Sequence, residues 1–247
     1  MIKFLSIILY LLFFASTLIS QTSLDSICEK WNSLDKLILN QKIEKEYAIR
    51  MLERYENGIL KYCNANKLKE FNKKDWVFPL KNFSKIQHRE DGDDFRDYKY
   101  DYFQGSDANS HPAHDIFIAD TNKDCLDDVT GEPVDVVSMS GGVVVATDTT
   151  WEIGSYLRGG KYVKIFDVMN LKLFYYSHLN VVTVKPGDVV KPGEKIAEVG
   201  RTGRSAILQP GRTHLHIALL SYEKGYPKPE KIFEEIKRVE NKSPSVK

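Results

Sequence analysis

The sequence predicts a mainly β protein, in which an antiparallel β-sheet domain follows an N-terminal α-helical hairpin. Two patterns support this fold class. Between about residue 105 and residue 222, short runs rich in Val, Ile and Tyr are separated by Gly and Pro, which is typical of antiparallel strands joined by turns. Over residues 24–66, apolar side chains recur every three or four positions without a proline, which indicates amphipathic helices. With 42% apolar residues, the chain can bury a substantial core.

The helical region is predicted over residues 21–75. Asn40 and Gln41 form a plausible turn between two antiparallel helices. The apolar positions of the first helix are Leu24, Cys28, Trp31, Leu34, Leu37 and Ile38. Such a hairpin could be an interaction module, but a structural prefix or a pro-segment is the preferred interpretation.

The β domain is predicted to begin at about Trp76. From there the helical periodicity is lost, and polar and aromatic residues follow one another irregularly. Its predicted strands are DIFIAD, VDVVSM, GGVVVATDT, KYVKIFDV, LKLFYYSHL, EKIAEVG and THLHIALL. The tail, PEKIFEEIKRVENKSPSVK, predicts a short helix and a loose end.

Two neighbouring segments, VTVKPGDVV and KPGEKIAEVG, resemble the barrel-sandwich hybrid hairpins of biotinyl and lipoyl carrier domains. Those carriers present a modifiable lysine at a tight hairpin tip, usually beside a methionine. No such tip is evident in these segments, so the resemblance supports sheet architecture more than a carrier function.

The first twenty residues, MIKFLSIILYLLFFASTLIS, have the layout of a secretory signal peptide. One lysine precedes an apolar run, and small and polar residues follow it. The alternatives are a buried first helix or a membrane anchor, for which about 18 apolar residues would be needed. We expect an exported protein, periplasmic or extracellular, with no stable membrane span once residues 1–20 are removed.

The charge of the chain is close to neutral. The formal net charge of +1 falls to 0 when residues 1–20, which carry one lysine, are removed. A nucleic-acid partner normally requires a basic excess or stripe, so we expect none.

Three cysteines are present, Cys28, Cys63 and Cys125. In an exported protein a bridge between Cys28 and Cys63 is possible, although spacing does not establish it. A metal role for these cysteines is improbable, because none lies in a CxxC pair.

The segment HPAHD, residues 111–115, places two histidines and an aspartate within five positions. Local spacing alone does not choose between His111 and His114 as the partner of Asp115. In an extended chain, His114 and Asp115 project to opposite faces, which makes them awkward as joint ligands. Pro112 biases His111 towards an extended conformation at a loop end, from which it could turn to a cleft. Of the other histidines, His88 lies in a charged loop and is expected to be solvated.

The segment THLHIALL predicts a strand on which His214 and His216 project to the same face. Leu215, Ile217 and Leu219 would then point to the opposite, core face. Two imidazoles on one face suit a metal ligand beside a group that handles protons. The alternative is a chance pair on a half-exposed strand.

Together, HPAHD and THLHIALL can supply three nitrogen and oxygen ligands from two distant segments. That leaves a fourth position for water, which is the pattern of catalytic rather than structural zinc. The HExxH motif of helical metalloproteases is absent from the sequence.

Four segments of the sequence, taken together, resemble a known protein family. HPAHDIFI, YYSHLN, VKPGDVVKPGEKIAEVGRTGRS and THLHIAL, in that order, resemble the lysostaphin- and LytM-type zinc endopeptidases of cell walls. The resemblance covers roughly residues 100–222 as the catalytic core of a peptidase domain over 76–247. It implies a LytM-type antiparallel β-sheet domain and a zinc cofactor.

The same resemblance implies the site residues. The zinc ligands would be His111, Asp115 and His216, and the catalytic pair would be His214 and His178. His114 would then be a packing residue or one that supports the ligands. The sequence departs from the family pattern at two places, which affect the expected cleft shape and substrate preference but leave the three zinc ligands unchanged. Ala113 stands where the family commonly has Gly, and the segment AILQPGR is longer than usual.

Two further features of the sequence could bear on function. Tyr102, nine residues before His111, could line the cleft and donate to an oxyanion, although an ordinary packed aromatic is the preferred interpretation. Asp120, Asn122, Asp124, Asp127 and Asp128 resemble half of a calcium loop. Cys125 replaces the glycine of such a loop, so a solvated acidic turn is preferred.

The expected function is that of a zinc metalloendopeptidase that cuts peptide cross-links of bacterial peptidoglycan. The principal alternative is a non-catalytic LytM-like regulator or wall-binding module that activates another hydrolase. The N-terminal helices could act by autoinhibition or by contact with a partner.

Overall fold

The computed structural model describes residues 24–89, 94–107, 110–207 and 212–241. The predicted signal peptide lies outside these residues. These residues contain four α-helices: α1 (24–39), α2 (Lys45–Asn66), α3 (Arg204–Ile207) and α4 (Phe233–Glu240). A 3-10 segment spans Tyr102–Asp107. Within the described chain, no helix is long and apolar enough to cross a membrane.

Ten strands form one antiparallel sheet. They are β1 (Lys85–Ile86), β2 (His114–Phe117), β3 (Asp135–Val137), β4 (Gly142–Asp148), β5 (Lys161–Asp167), β6 (Lys172–Val182), β7 (Val189–Val190), β8 (Lys195–Val199), β9 (His214–Glu223) and β10 (Tyr226–Glu230). The main path runs β1-β2-β9-β6-β5-β4-β7, while β10 pairs with β9, and β8 pairs with β3 and β6. The prediction of an antiparallel β fold preceded by a helical hairpin is confirmed.

The sheet buries both of its faces. One face forms the main core, to which β9 contributes Leu215, Ile217 and Leu219. The other face of the sheet packs against α1 and α2, where Trp31 lies 5.8 Å from Phe166 between ring centroids. A single strand can contribute to both of these apolar clusters, because successive side chains along a strand project to opposite faces of the sheet.

A buried polar network joins α1 to the sheet. The Asp35 carboxylate is fully buried and accepts hydrogen bonds from the Lys164 ammonium (2.5 Å), the Tyr102 hydroxyl (2.7 Å) and the Tyr162 hydroxyl (2.8 Å). The Lys164 ammonium also lies 4.8–5.3 Å from the ring centroids of Tyr102, Tyr162 and Tyr175. Both charges are therefore paired and hydrogen-bonded, as buried charges must be.

The three cysteines are free thiols. Cys28 on α1 and Cys63 on α2 both belong to the apolar cluster between the helices and the sheet. Burial raises the pKa of Cys28 to about 12 and the pKa of Cys63 to about 11.

Replacing Asp35 with Asn should destabilise the protein by about 3–5 kcal/mol, because the Lys164 ammonium would stay buried without a counter-charge. Equilibrium urea unfolding measures the loss. The matched control is Lys45→Gln, which removes an ion pair to Asp101 whose side chains are 39% and 25% exposed. An exposed pair contributes at most about 1 kcal/mol. A loss for Asp35→Asn no larger than that of the control would contradict the role given to the network.

Cys28 and Cys63 should resist alkylation in the native reduced protein at pH 8. The thiolate is the reactive form, and burial keeps both thiols protonated above the pH at which the unfolded chain loses those protons. Reaction should accelerate as the pH rises towards 11–12. Mass spectrometry after iodoacetamide treatment counts the modified thiols, with the partly exposed Cys125 as the internal comparison. Native Cys28 that reacts as fast as the unfolded chain would refute this assignment.

Candidate active site

Three neighbouring strands present the candidate residues on one face of the sheet. Asp115 of β2 lies directly opposite His216 of β9, and His216 lies opposite Ser177 of β6. His214 is two residues from His216 and shares its face, while Leu215 and Ile217 point into the main core. This is the alternation that the sequence predicted for THLHIALL.

His111, Asp115 and His216 form a group that could hold a metal ion, and one ligand atom from each lies within 4.8 Å of the others. The Asp115 carboxylate sits between the two rings. One oxygen is 3.2 Å from His111 Nε2, and the other is 3.1 Å from His216 Nδ1. In the described part of the chain, no other group of three His, Cys, Asp or Glu side chains lies close enough together to hold a metal ion.

The backbone around His111 fixes the ring. His111 and Arg96 form an isolated antiparallel bridge with hydrogen bonds of 2.8 and 2.9 Å. His111 Nδ1 lies 2.8 Å from the main-chain carbonyl oxygen of Asp94. A carbonyl can only accept, so Nδ1 carries a proton, and Nε2 is the ring atom that faces Asp115. With Nδ1 held in this way, Nε2 is the atom left to bind a metal in place of its own proton.

His114 lies on the other face of β2. Its side chain is only 2% exposed, and its ring lies 5.7 Å from the rings of Phe95 and Phe233. Burial lowers the pKa of His114. His88 is 47% exposed at its side chain but stacks on Phe233 at 4.0 Å, so it is not simply solvated as the sequence suggested.

His178 and His214 lie beside the Asp115 group, with 4.8 Å between their ring centroids. His178 Nδ1 is 2.8 Å from the carbonyl oxygen of Thr202, and His214 Nδ1 is 2.8 Å from the carbonyl oxygen of Arg212. By the argument used for His111, each Nδ1 donates and each neutral ring keeps a lone pair on Nε2. His214 Nε2 points towards the site, 3.9 Å from an Asp115 oxygen.

The electrostatics of the site favour an ionised Asp115 carboxylate. Burial alone would raise the pKa of Asp115, but hydrogen bonds to His111 and His216 hold it well below its ordinary value. Burial lowers the pKa of His216 and, together with the neighbouring imidazoles, that of His178 to well below its ordinary value. For His111, burial opposes the charged ring, but the Asp115 carboxylate outweighs it and the pKa is raised.

The site lies in a cleft of about 980 Å³. Basic side chains outnumber acidic ones among the described residues that line it. The basic lining residues are Lys85, Arg89, Arg96, Arg158, Lys164 and Arg212, and the acidic ones are Asp94 and Asp115.

Tyr102 also lines the cleft, but its hydroxyl is hydrogen-bonded to buried residues outside the His111, Asp115 and His216 group. It donates its one proton to Asp35 and accepts from the Lys164 ammonium at 3.0 Å. This arrangement matches the packed aromatic rather than an oxyanion donor.

The acidic segment 120–128 folds as a turn whose carboxylates bind its own backbone. Asp120 accepts from the main-chain N–H groups of Asp124 and Cys125, and also from the Thr213 hydroxyl. Asp128 accepts from the N–H and hydroxyl of Thr121. These bonds are those of a self-capped acidic turn, and the contact with Thr213 ties the turn to the residue that precedes His214.

Sequence reasoning did not find Asp94 and Thr202. Both contact a histidine ring through a main-chain carbonyl, which every residue type possesses, so the sequence gives no signal for these two contacts.

A family model matches part of the β domain. Residues 126–227 match Peptidase family M23, a range that contains His178, His214 and His216 but neither His111 nor Asp115. A search of curated proteins gives no match.

Solved structures with similar folds include lysostaphin from Staphylococcus simulans, at 20% identity and a TM-score of 0.42. The alignment covers 67% of this chain and 55% of that one, so this chain spans about half of lysostaphin. A LytM protein from Ruminococcus gnavus is 19% identical over 85% of this chain and 87% of that one, with a TM-score of 0.48. A zinc containing peptidase from Vibrio cholerae is 22% identical over 65% and 39%, with a TM-score of 0.39.

The match over residues 126–227 agrees with the resemblance found in the sequence: this part of the β domain is similar to Peptidase family M23.

Proposed function

We propose that the protein is a zinc-dependent endopeptidase that hydrolyses peptide cross-links of bacterial peptidoglycan, in the periplasm or outside the cell. The observation that carries the proposal is the convergence of five side chains in one cleft. His111, Asp115 and His216 lie within ligand distance of one another, and His178 and His214 lie next to them.

The donor set suits zinc. Two imidazole nitrogens and a carboxylate oxygen are ligands that zinc accepts, and a site with three protein ligands keeps a position for water or substrate. His111 would bind through Nε2, because its Nδ1 proton is held by the Asp94 carbonyl. His216 would bind through Nδ1, the atom that faces Asp115. A bound zinc ion lowers the pKa of water towards about 7 and polarises a carbonyl group.

His178 and His214 would handle the protons of the reaction. Burial favours the neutral form of His178, so its Nε2 lone pair can accept a proton from the attacking water. The resulting imidazolium can then return that proton to the departing amine. Once its Nε2 is protonated, either ring can also donate to the oxyanion as it develops, since both lie beside the same cleft.

The helical hairpin has no inhibitory role in this proposal. Of the described residues of α1 and α2, only Leu39 lines the cleft. The two helices instead cover the apolar face of the sheet around Phe166 and Tyr222. We expect them to be a structural part of the enzyme, and nothing in the described chain supports the expected partner contact.

Zinc binding should distinguish the two histidines of HPAHD. His111→Ala removes a ligand and should weaken zinc binding by about 100-fold or more, beyond the effect typical of residues that only support a ligand. His114→Ala should keep zinc at one equivalent, because its ring lies on the core face of β2. Isothermal titration with zinc and metal analysis of the purified variants provide the measurement.

The control for that comparison is thermal unfolding, since His114→Ala removes a buried ring and lowers stability. The assignment would be wrong if a folded His114→Ala variant lost zinc while His111→Ala retained it.

The function itself is tested on purified peptidoglycan. The zinc-loaded protein should release muropeptides whose masses identify the cut bond, and a chelator should abolish the release. His214→Ala should retain zinc and lose turnover by about 10²–10⁴-fold, as expected for a group that transfers protons. His216→Ala should lose the metal as well.

Zinc-loaded protein that cleaves neither wall peptides nor Gly-rich peptides would contradict the enzyme assignment. It would favour the non-catalytic regulator, and stimulation of a second wall hydrolase would then identify that role.

A further inference from the structure

The segment GRTGRS, residues 200–205, follows directly after β8. Its threonine, Thr202, packs against the strand that carries His178. The contacts of this one residue carry the inference that follows.

His178 occupies an irregular position on β6. Its φ is +63°, a left-handed conformation that is uncommon for a residue with a Cβ atom. The pairing of β6 with β8 changes register between Leu179 and Val181, and that of β5 with β6 changes between Lys161 and Val163. Irregular pairing of this kind aims a side chain differently and leaves backbone groups without ladder partners.

The Thr202 side chain binds two of those backbone groups. Its hydroxyl donates to the carbonyl oxygen of Leu179 at 2.7 Å and accepts from the N–H of Lys161 at 2.9 Å. These two residues lie on the two strands that meet at the irregularity. The hydroxyl therefore bridges β5 and β6 where their own ladder is interrupted.

The Thr202 main chain binds the imidazole itself. Its carbonyl oxygen lies 2.8 Å from His178 Nδ1, which fixes both the tautomer and the direction of the ring. The same residue thus holds the backbone beside His178 with its hydroxyl and holds the ring with its carbonyl.

Glycines fix the position of Thr202. Gly160 has φ +66°, and a Cβ atom there would collide with the carbonyl carbon of Thr202 and the nitrogen of Gly203. Gly203 has φ +100°, and a Cβ atom there would collide with the carbonyl oxygen of Arg158. The segment 200–203 can approach residues 158–160 this closely only because these positions have no side chain.

We propose that Thr202 is a positioning residue for His178: its hydroxyl stabilises the irregular backbone at His178, and its carbonyl then holds the ring with Nε2 available to the substrate side of the cleft. The inference rests on the proposed function, in which His178 transfers protons, but the geometry that it describes is independent of that function.

The test is a set of four variants: Thr202→Val, Thr202→Ser, His178→Ala and the double variant His178→Ala with Thr202→Val. Valine has nearly the shape of threonine but cannot make either hydroxyl contact, whereas serine can make both. Thr149→Val makes the same chemical change at an exposed position and is the control.

Thr202→Val should lower kcat by about 10–100-fold, the range seen for groups that orient the histidine ligands of a metal. KM and zinc content should stay near the wild-type values. Thr202→Ser should restore most of the loss. In the His178→Ala background, Thr202→Val should cause little further loss of kcat, because the group on which it acts is already absent.

A readout independent of activity is the ¹⁵N spectrum of the histidine rings. In the wild-type protein His178 should show a single tautomer with a protonated Nδ1. In Thr202→Val this signal should broaden or shift towards a mixture of tautomers, and Thr149→Val should leave it unchanged.

The inference would be overturned by an unchanged ring signal in Thr202→Val, or by equal losses of kcat in the presence and absence of His178. Loss of zinc or of folded structure in Thr202→Ser would also overturn it. If the wild-type protein cleaves no wall peptide, the proposed function fails, while the ring spectrum still decides whether Thr202 positions His178.

Discussion

The register between β2 and β9 is the constraint on which the site depends. Asp115 lies directly opposite His216, and its two carboxylate oxygens face the two histidines that flank it. A slip of one residue would send the carboxylate into the main core and bring His114 to the cleft, since side chains alternate along a strand. The slip is opposed because it would also take the completely buried side chain of Ile116 out of the main core.

A second principle of the site is the repeated use of main-chain carbonyls to orient imidazoles. His111, His178 and His214 each direct Nδ1 at a carbonyl oxygen at 2.8 Å. All three carbonyls lie in irregular segments, where backbone groups are not used up by the ladders of the sheet. The rings therefore share one tautomer, although they have different proposed tasks. The sheet sets the positions of the residues, and the loops set the direction of the nitrogen lone pairs.

Alternation and spacing made much of this arrangement predictable. The seven long β-rich runs became strands, and the opposition of His114 to Asp115 follows from the period of an extended chain. Strands β1 and β7 were harder to predict because each has two residues. Strand β10 contains Pro227 and Pro229, which normally argue against a strand and are tolerated here because β10 pairs only with β9.

Other parts of the site could not be found from the sequence. The carbonyls of Asp94 and Thr202 have no residue-specific signature. Asp35 lies among charged residues on a helix and has the appearance of a solvated position. Its partner Lys164 is 129 residues away in the chain, so only the tertiary structure brings the two together.

That separation has a consequence for how the chain reaches its native state. The family match begins at residue 126, and a boundary at residue 76 would detach α1 and α2 from the sheet. The carboxylate that neutralises Lys164 lies on the far side of that boundary, so the folding unit is larger than the family domain. During synthesis α1 emerges first and cannot complete its contacts until β5 has followed it. Such long-range closure is slow relative to local helix formation, and the hairpin and the sheet are therefore expected to acquire their final packing in one cooperative step.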